Sequence, residues 1–252
     1  MQIQAIKTKV FLPPKDNLDD LLDSIIPHLK ENMIVALTSK VISICEARCI
    51  KKDEVEKEQL SKNESQFYLE KQPTQITDSI ITITNNLLIN GAGIDESNAN
   101  DYYVLLPKDP THSAQKIHQL LKEKSGLKSL AVLITDSHST PLRRGASGVS
   151  IGFYGFEPLK DYRSEKDLFG RSFHFEVANL PDALAATAVL VMGEGNEQTP
   201  MALISDLPSS IKFINHPYQP ENPDLNFYTN IDNDLFTPFL KPLPWKKSPK
   251  KS

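Results

Sequence analysis

Residues 129–145 read SLAVLITDSHSTPLRRG. The apolar run SLAVLIT is a buried strand by length and composition, and it delivers Asp136, Ser137 and His138 to its carboxyl end. Two adjacent arginines, Arg143 and Arg144, follow after Pro141. A Ser-His-Asp triad is the first reading to test, and it fails on geometry. Triad members converge from separated positions, whereas consecutive residues of an extended chain point to opposite faces. No G-x-S-x-G elbow occurs either. An acid and hydroxyls at a strand end suit a hard cation such as Mg²⁺, and paired guanidiniums suit phosphate or carboxylate oxygens. The plain alternative is a capping Asp136 and two solvated arginines.

Working outward, a helix SAQKIHQLLKEK, entered through Ser113 and stopped by Gly126, precedes this strand. Residues 18–32 carry apolar side chains at helical spacing interrupted by Pro27. MIVALTSKVISI reads as a strand, a turn at Thr38–Lys40 and a second β-leaning segment, and residues 53–70 are helical in propensity. SIITITNNLLI reads as a hairpin turning at Asn85 and Asn86. YYVLLP, GVSIGFYGF, SFHFEVANL and MALIS read as β segments, and DALAATAVLVM as an apolar helix. Strands and helices mix without regular βαβ alternation, which favours an α+β fold over a doubly wound sheet.

Two further loops bring acids beside small residues: NGAGIDESN with Asp95 and Asn98, and MGEGNEQTP with Glu194. Three such loops can supply a two-metal site clamping a triphosphate. A P-loop is excluded as the phosphate cradle, because G-x-x-x-x-G-K-[ST] is absent.

Composition narrows the class. With 39% hydrophobic and 24% charged residues over 252 positions, the chain reads as an ordinary globular protein. It shows neither a bilayer-length apolar run nor a signal peptide, so a cytoplasmic location without membrane association is expected. Cys45 and Cys49 read as free thiols. The net charge of −4 becomes −9 when the five lysines of the last twelve residues are set aside. That tail reads as a solvated, disordered end, and without a basic body behind it no nucleic-acid partner is expected. Residues 207–252 read as an irregular, poorly packed extension to a unit spanning 1–206.

TSKVISICEAR, NGAGIDESN, LPKDPTHSAQKI, LITDSHSTPLRRG, KDYRSEKDLFGR and LVMGEGNEQTP occur in an order and spacing that resembles the coenzyme F420-0:L-glutamate ligase family. The resemblance covers roughly residues 1–206. It implies an α+β fold of mixed sheets and helices, an intertwined homodimer, and a nucleotide-dependent amide ligase using two Mg²⁺ or Mn²⁺ ions with GTP or ATP. A cofactor carboxylate would be phosphorylated and the resulting acyl phosphate displaced by the amine of L-glutamate.

Carried over by position, the resemblance implies Asp95, Asp136, Ser137 and Glu194 as metal ligands. It implies Ser39, Lys40, Asn98, Met192, Gly193, Gly195, Asn196 and Thr199 as nucleotide-binding, with a looser match at residues 9–12. Arg143 and Arg144 match the family's paired arginines, and His138 is a candidate base. Asp161, Arg163, Asp167 and Arg171 match a further motif, for which structural ion pairing is an equal reading. Ile44 stands where the family carries a nucleotide-contacting lysine, and DSHST replaces a Gly-Arg pattern. These departures and the Lys-, Asn- and Ile-rich composition favour a tetrahydrofolate-type acceptor, with the F420-type deazaflavin and GTP as the alternative. A non-catalytic nucleotide-binding protein or a metal-dependent phosphohydrolase on the same fold are the further alternatives.

Overall fold

The computed structural model describes residues 1–71, 79–163 and 165–249. Ser164 of the KDYR motif and the last three tail residues lie outside them. The chain runs through strand β1 (Gln2–Ile6), helix α1 (Leu18–Asp23), β2 (Met33–Thr38), α2 (Ser39–Cys45), β3 (Cys49–Lys51), α3 (Lys57–Glu64) and β4 (Phe67–Tyr68). The hairpin β5 (Ile81–Thr84) and β6 (Leu87–Asn90) follows, then β7 (Tyr102–Val104), α4 (Pro110–Ser125), β8 (Leu130–Ser139) and β9 (Ala146–Tyr154). The short β10 (Leu159–Asp161) and β11 (Val177–Asn179) lead to α5 (Leu180–Met192), β12 (Met201–Ser205), α6 (Thr237–Leu240) and β13 (Lys246–Lys247).

The architecture is α+β, as expected. A five-stranded mixed sheet, ordered β1-β12-β2-β8-β9, forms its centre, with β2 and β8 the parallel pair. A four-stranded sheet, β13-β4-β5-β6, stands beside it. Alternation along the central strands divides the interior in two. Val35, Leu37, Leu130, Val132 and Ile134 face a core shared with α1, α2 and α4. Ile34, Ala36, Ala131 and Leu133 face Leu184, Ala185 and Ala188 of α5. Both faces being covered explains why the two parallel strands are continuously apolar.

The hairpin turns where expected: Asn85 and Asn86 both have positive φ, 51° and 59°, as a two-residue turn of this kind requires. Pro27 divides the 18–32 segment into α1 and a short 3-10 turn at Ile26–His28. Three expectations change. The β-leaning segment after Lys40 is helix α2, because Val41, Ile42 and Ile44 bury into the first core and burial outweighs their β preference. Helix α4 starts earlier than Ser113: Asp109 caps it by accepting from the His112 N–H at 2.9 Å, with Pro110 in the first turn. Strand β8 does not stop at Asp136 but runs to Ser139, held by β9 alone.

The carboxyl-terminal segment also departs from a free end. Leu207, Ile211, Phe213, Tyr218, Phe227 and Tyr228 pack against the α5-side core. The tail then pairs Lys246 with Tyr68 and Lys247 with Phe67, and Lys246 reaches Glu70 at 2.9 Å. Beyond Tyr228, Leu235, Phe236 and Phe239 stay exposed. Among the described residues no helix is long and apolar enough to cross a membrane.

Helix α5 lies unusually close to β9, and Gly148 permits it. A Cβ there would stand 2.5 Å from the Ala185 carbonyl oxygen, a backbone atom that cannot swing aside. Gly148→Ala is therefore expected to destabilise the fold by about 1–3 kcal/mol, read as a lowered midpoint in chemical denaturation at unchanged m-value.

Candidate active site

Strand β2 ends its pairing with β8 at Thr38–Thr135. Immediately beyond that point β8 continues past the sheet, so its next residues line a cleft instead of a core. The cleft has a volume of about 760 Å³. Its walls are the end of β8, the α2 entry, the 93–98 loop, the amino-terminal segment around Lys9 and the 192–200 loop after α5.

Alternation sends Asp136 and Ser137 to opposite sides of β8, which rules out a linear triad and builds two oxygen-rich groups. On the α2 side, the Asp136 carboxyl accepts from the backbone N–H of Ser137 and from the hydroxyl of Ser39, a residue only 4% exposed. Burial is the largest influence on it and pushes its pKa up to about 7, against those two hydrogen bonds. Nearby Asp95 pushes in the same direction, and Lys40 opposes it more weakly. Burial raises the Asp95 carboxyl too, but the Lys40 ammonium and the Ser97 N–H and hydroxyl together hold it below its usual value. The Lys40 Nζ lies 2.7 Å from Asp95 Oδ2.

On the α5 side, the Ser137 hydroxyl donates to Glu194 Oε2 at 2.6 Å. Asn98 links the two sides, its amide donating to the Gly195 carbonyl at 3.1 Å. The loop it meets begins at Gly193, whose φ of +85° ends α5 and turns the chain across the cleft. Thr199 closes that loop by donating its hydroxyl to the Met192 carbonyl. Asn196 lines the cleft beside them, and His138, half-buried, falls on the Asp136 side by the same alternation.

Most of the residues singled out in the sequence thus meet around one cleft. Ser39 does so from beneath, through Asp136. Arg143 and Arg144 do not: they sit in the exposed turn between β8 and β9, outside the cleft lining. Ile44 is 2% exposed and contributes to the apolar wall, so it offers no polar contact. Asp161 pairs with Arg163 at 2.9 Å, and Asp167 caps its own turn by accepting from the Phe169 and Arg171 N–H groups at 2.8 Å, so this motif braces the β10–β11 arm.

Two site residues escaped sequence reasoning. Ser97 holds Asp95 Oδ1 through both N–H and hydroxyl, at 2.7 and 2.8 Å, and the Asp-x-Ser spacing is the signal that would have found it. Glu197 folds back to accept from the Gly195 N–H at 2.9 Å, with no local signal except a second acid in the loop.

Among the described residues, no three His, Cys, Asp or Glu side chains are arranged to hold a metal ion by themselves. The donors present are all hard oxygens, and the half-buried Asp136 carboxyl sits beside a second acid, Asp95. That chemistry fits a cation whose remaining ligands come from water and a bound phosphate chain.

The sequence of residues 6–206 matches the family description F420-0:Gamma-glutamyl ligase. The chain belongs to that family. A coenzyme F420:L-glutamate ligase of Methanopyrus kandleri is 31% identical over 233 residues, 86% of this chain and 91% of the relative. Its namesake in Methanococcus maripaludis strain C6 is 34% identical over 203 residues, covering 73% and 79%. A third, from Methanothermobacter thermautotrophicus, is 42% identical over 133 residues, 52% of each chain. As a member of the F420-0:γ-glutamyl ligase family, this chain is an acid–amino-acid ligase that forms a γ-glutamyl bond.

Proposed function

We propose that this ligase joins L-glutamate to a terminal carboxylate of an F420-type deazaflavin, driven by a nucleoside triphosphate. The observation that carries the reading is the placement of Asp136, with Lys40 and Asp95, and of Ser137, with Glu194, on two sides of one cleft. The relatives' names favour the deazaflavin over the tetrahydrofolate-type acceptor preferred from composition.

A carboxylate is a poor electrophile, so it must first acquire a leaving group. An oxygen of the acceptor carboxylate attacks the terminal phosphorus, the bond to the bridging oxygen breaks, and the nucleoside diphosphate departs. The neutral amine of glutamate then attacks the acyl carbon, the carbon–oxygen bond to phosphate breaks, and an amide and inorganic phosphate result. Lys40 and the 192–199 loop, through Gly193, Gly195, Asn196 and Thr199, bind the phosphate chain, with Asn98 bracing the loop and Ser39 holding Asp136. His138 takes the proton released by the amine. Arg143 and Arg144, at the exposed turn, hold carboxylates arriving at the cleft mouth. Asp95, Asp136, Ser137 and Glu194 would hold one or two Mg²⁺ or Mn²⁺ ions, which supply positive charge against the phosphates.

Catalysis is assigned to residues 1–206. A homodimer is part of this proposal, supported by the exposed Leu168, Phe169 and Phe175 of the β10–β11 arm and Leu190 of α5.

Incubation with labelled L-glutamate, Mg²⁺, GTP or ATP, and either a deazaflavin or a tetrahydrofolate acceptor tests the reading. Glutamylated deazaflavin is expected, with GTP the better nucleotide. Labelled folate alone would reassign the acceptor. Nucleotide hydrolysis that ignores glutamate and acceptor would replace the ligase by a phosphohydrolase.

A further inference from the structure

We infer that Lys40 is a built-in counter-cation that closes Asp95 to metal until a phosphate chain draws the ammonium away. The inference rests on the proposed reading of Asp95 as a metal ligand.

An ammonium has three protons to donate. All three of Lys40 find oxygens on the 95–97 loop: Asp95 Oδ2 at 2.7 Å, the Ser97 carbonyl at 3.1 Å and the Ser97 hydroxyl at 3.0 Å. Asp95 is equally occupied, since its other oxygen already accepts from the Ser97 N–H and hydroxyl. The loop therefore wraps Lys40 as it would wrap a small cation. A divalent ion approaching Asp95 meets a carboxylate that already accepts three hydrogen bonds, with a like charge beside it.

Release needs an anion that reaches Lys40 from the cleft. Two lysines line the cleft among the described residues, and Lys9 is already shared between Asp16 at 2.8 Å and Asp20 at 2.6 Å. Lys40, a quarter exposed, has one acid partner. A phosphate chain is thus the competitor for Lys40, and the cation accompanying that chain takes the freed Asp95. Lys40 is a positioning residue in this exchange, coupling metal to nucleotide.

The test uses the full chain and Mn²⁺ alone, with bound and free ion distinguished by electron paramagnetic resonance. Lys40→Met is expected to bind Mn²⁺ about tenfold tighter than the wild type without nucleotide. Adding Asp95→Asn to it should erase the gain. In the presence of EDTA, GTP should bind Lys40→Met about tenfold more weakly. Lys40→Gln repeats each measurement if Lys40→Met fails to fold by circular dichroism. If Asp95→Asn weakens Mn²⁺ binding while Lys40→Met leaves it unchanged, the exchange is wrong and the metal site stands. Metal-free GTP binding unaffected by Lys40→Met also overturns the exchange. If neither Asp95→Asn nor Asp136→Asn weakens Mn²⁺ binding in any background, the metal reading falls and takes the exchange with it.

Discussion

Asp136→Asn is expected to lower glutamate-dependent turnover by at least 10²–10³-fold while leaving a folded protein. The amide preserves the shape and can still accept from the Ser39 hydroxyl, so the loss isolates the negative charge. Stability should move the other way. Burial raises the Asp136 pKa from 3.8 to about 7 in the fold, so between those values the folded chain holds a proton that the unfolded chain has lost. Stability from this group is therefore complete below pH 3.8 and is lost as pH rises through about 7. In metal-free protein, the melting temperature of Asp136→Asn should gain on the wild type as the pH is raised from 5 to 8. Turnover within threefold of the wild type would remove Asp136 from the chemistry. A melting difference independent of pH would contradict the raised pKa of this carboxyl.

Deleting residues 207–252 is expected to cost several kcal/mol, although the family match ends at residue 206. The segment lays Leu207, Ile211, Phe213, Tyr218, Phe227 and Tyr228 over the α5-side core. Phe227 stands edge-on to Phe153 at 5.1 Å, and Phe153 packs in turn on the fully buried Phe156 at 5.4 Å. Removing that cover exposes Phe153 of the central sheet and Phe156 just beyond the end of β9. For a chain of this size, each kcal/mol lowers the melting temperature by about 2–4 °C, so a drop of about 10 °C or more follows, with aggregation on concentration. Phe227→Ala should reproduce part of the drop without deleting the tail strand. A truncated chain that melts with the full one would make the extension dispensable to the fold.

The particular elements explain what could be read in advance. The Asn85–Asn86 turn, the Pro27 interruption and the Gly126 stop are local events, governed by backbone preferences of one or two residues, and each falls where the sequence places it. Helix α2 was hidden because Val41, Ile42 and Ile44 favour strands on their own, and only the packed first core makes them helical. The reach of β8 beyond Asp136 was hidden for a similar reason: its polar residues 136–139 look like a loop until β9 supplies the partner. That continuation converts a crowded strand end into two separated groups. Asp136 and Ser137 could be named from their place at the end of an apolar strand, and Asp95 and Glu194 from acids beside glycines, but the Lys40–Ser97–Asp95 arrangement depends on partners 57 residues apart. Arg143 and Arg144 follow the strand closely in sequence, but three residues of turn after Ser139 carry them out of the cleft lining.

The central claim is that this cleft activates a carboxylate by phosphorylation. The most direct measurement follows ¹⁸O from a labelled acceptor carboxylate during turnover with nucleotide and L-glutamate. One ¹⁸O is expected in inorganic phosphate for each amide formed, with transfer lost in Asp136→Asn. Amide formed with unlabelled phosphate would contradict it.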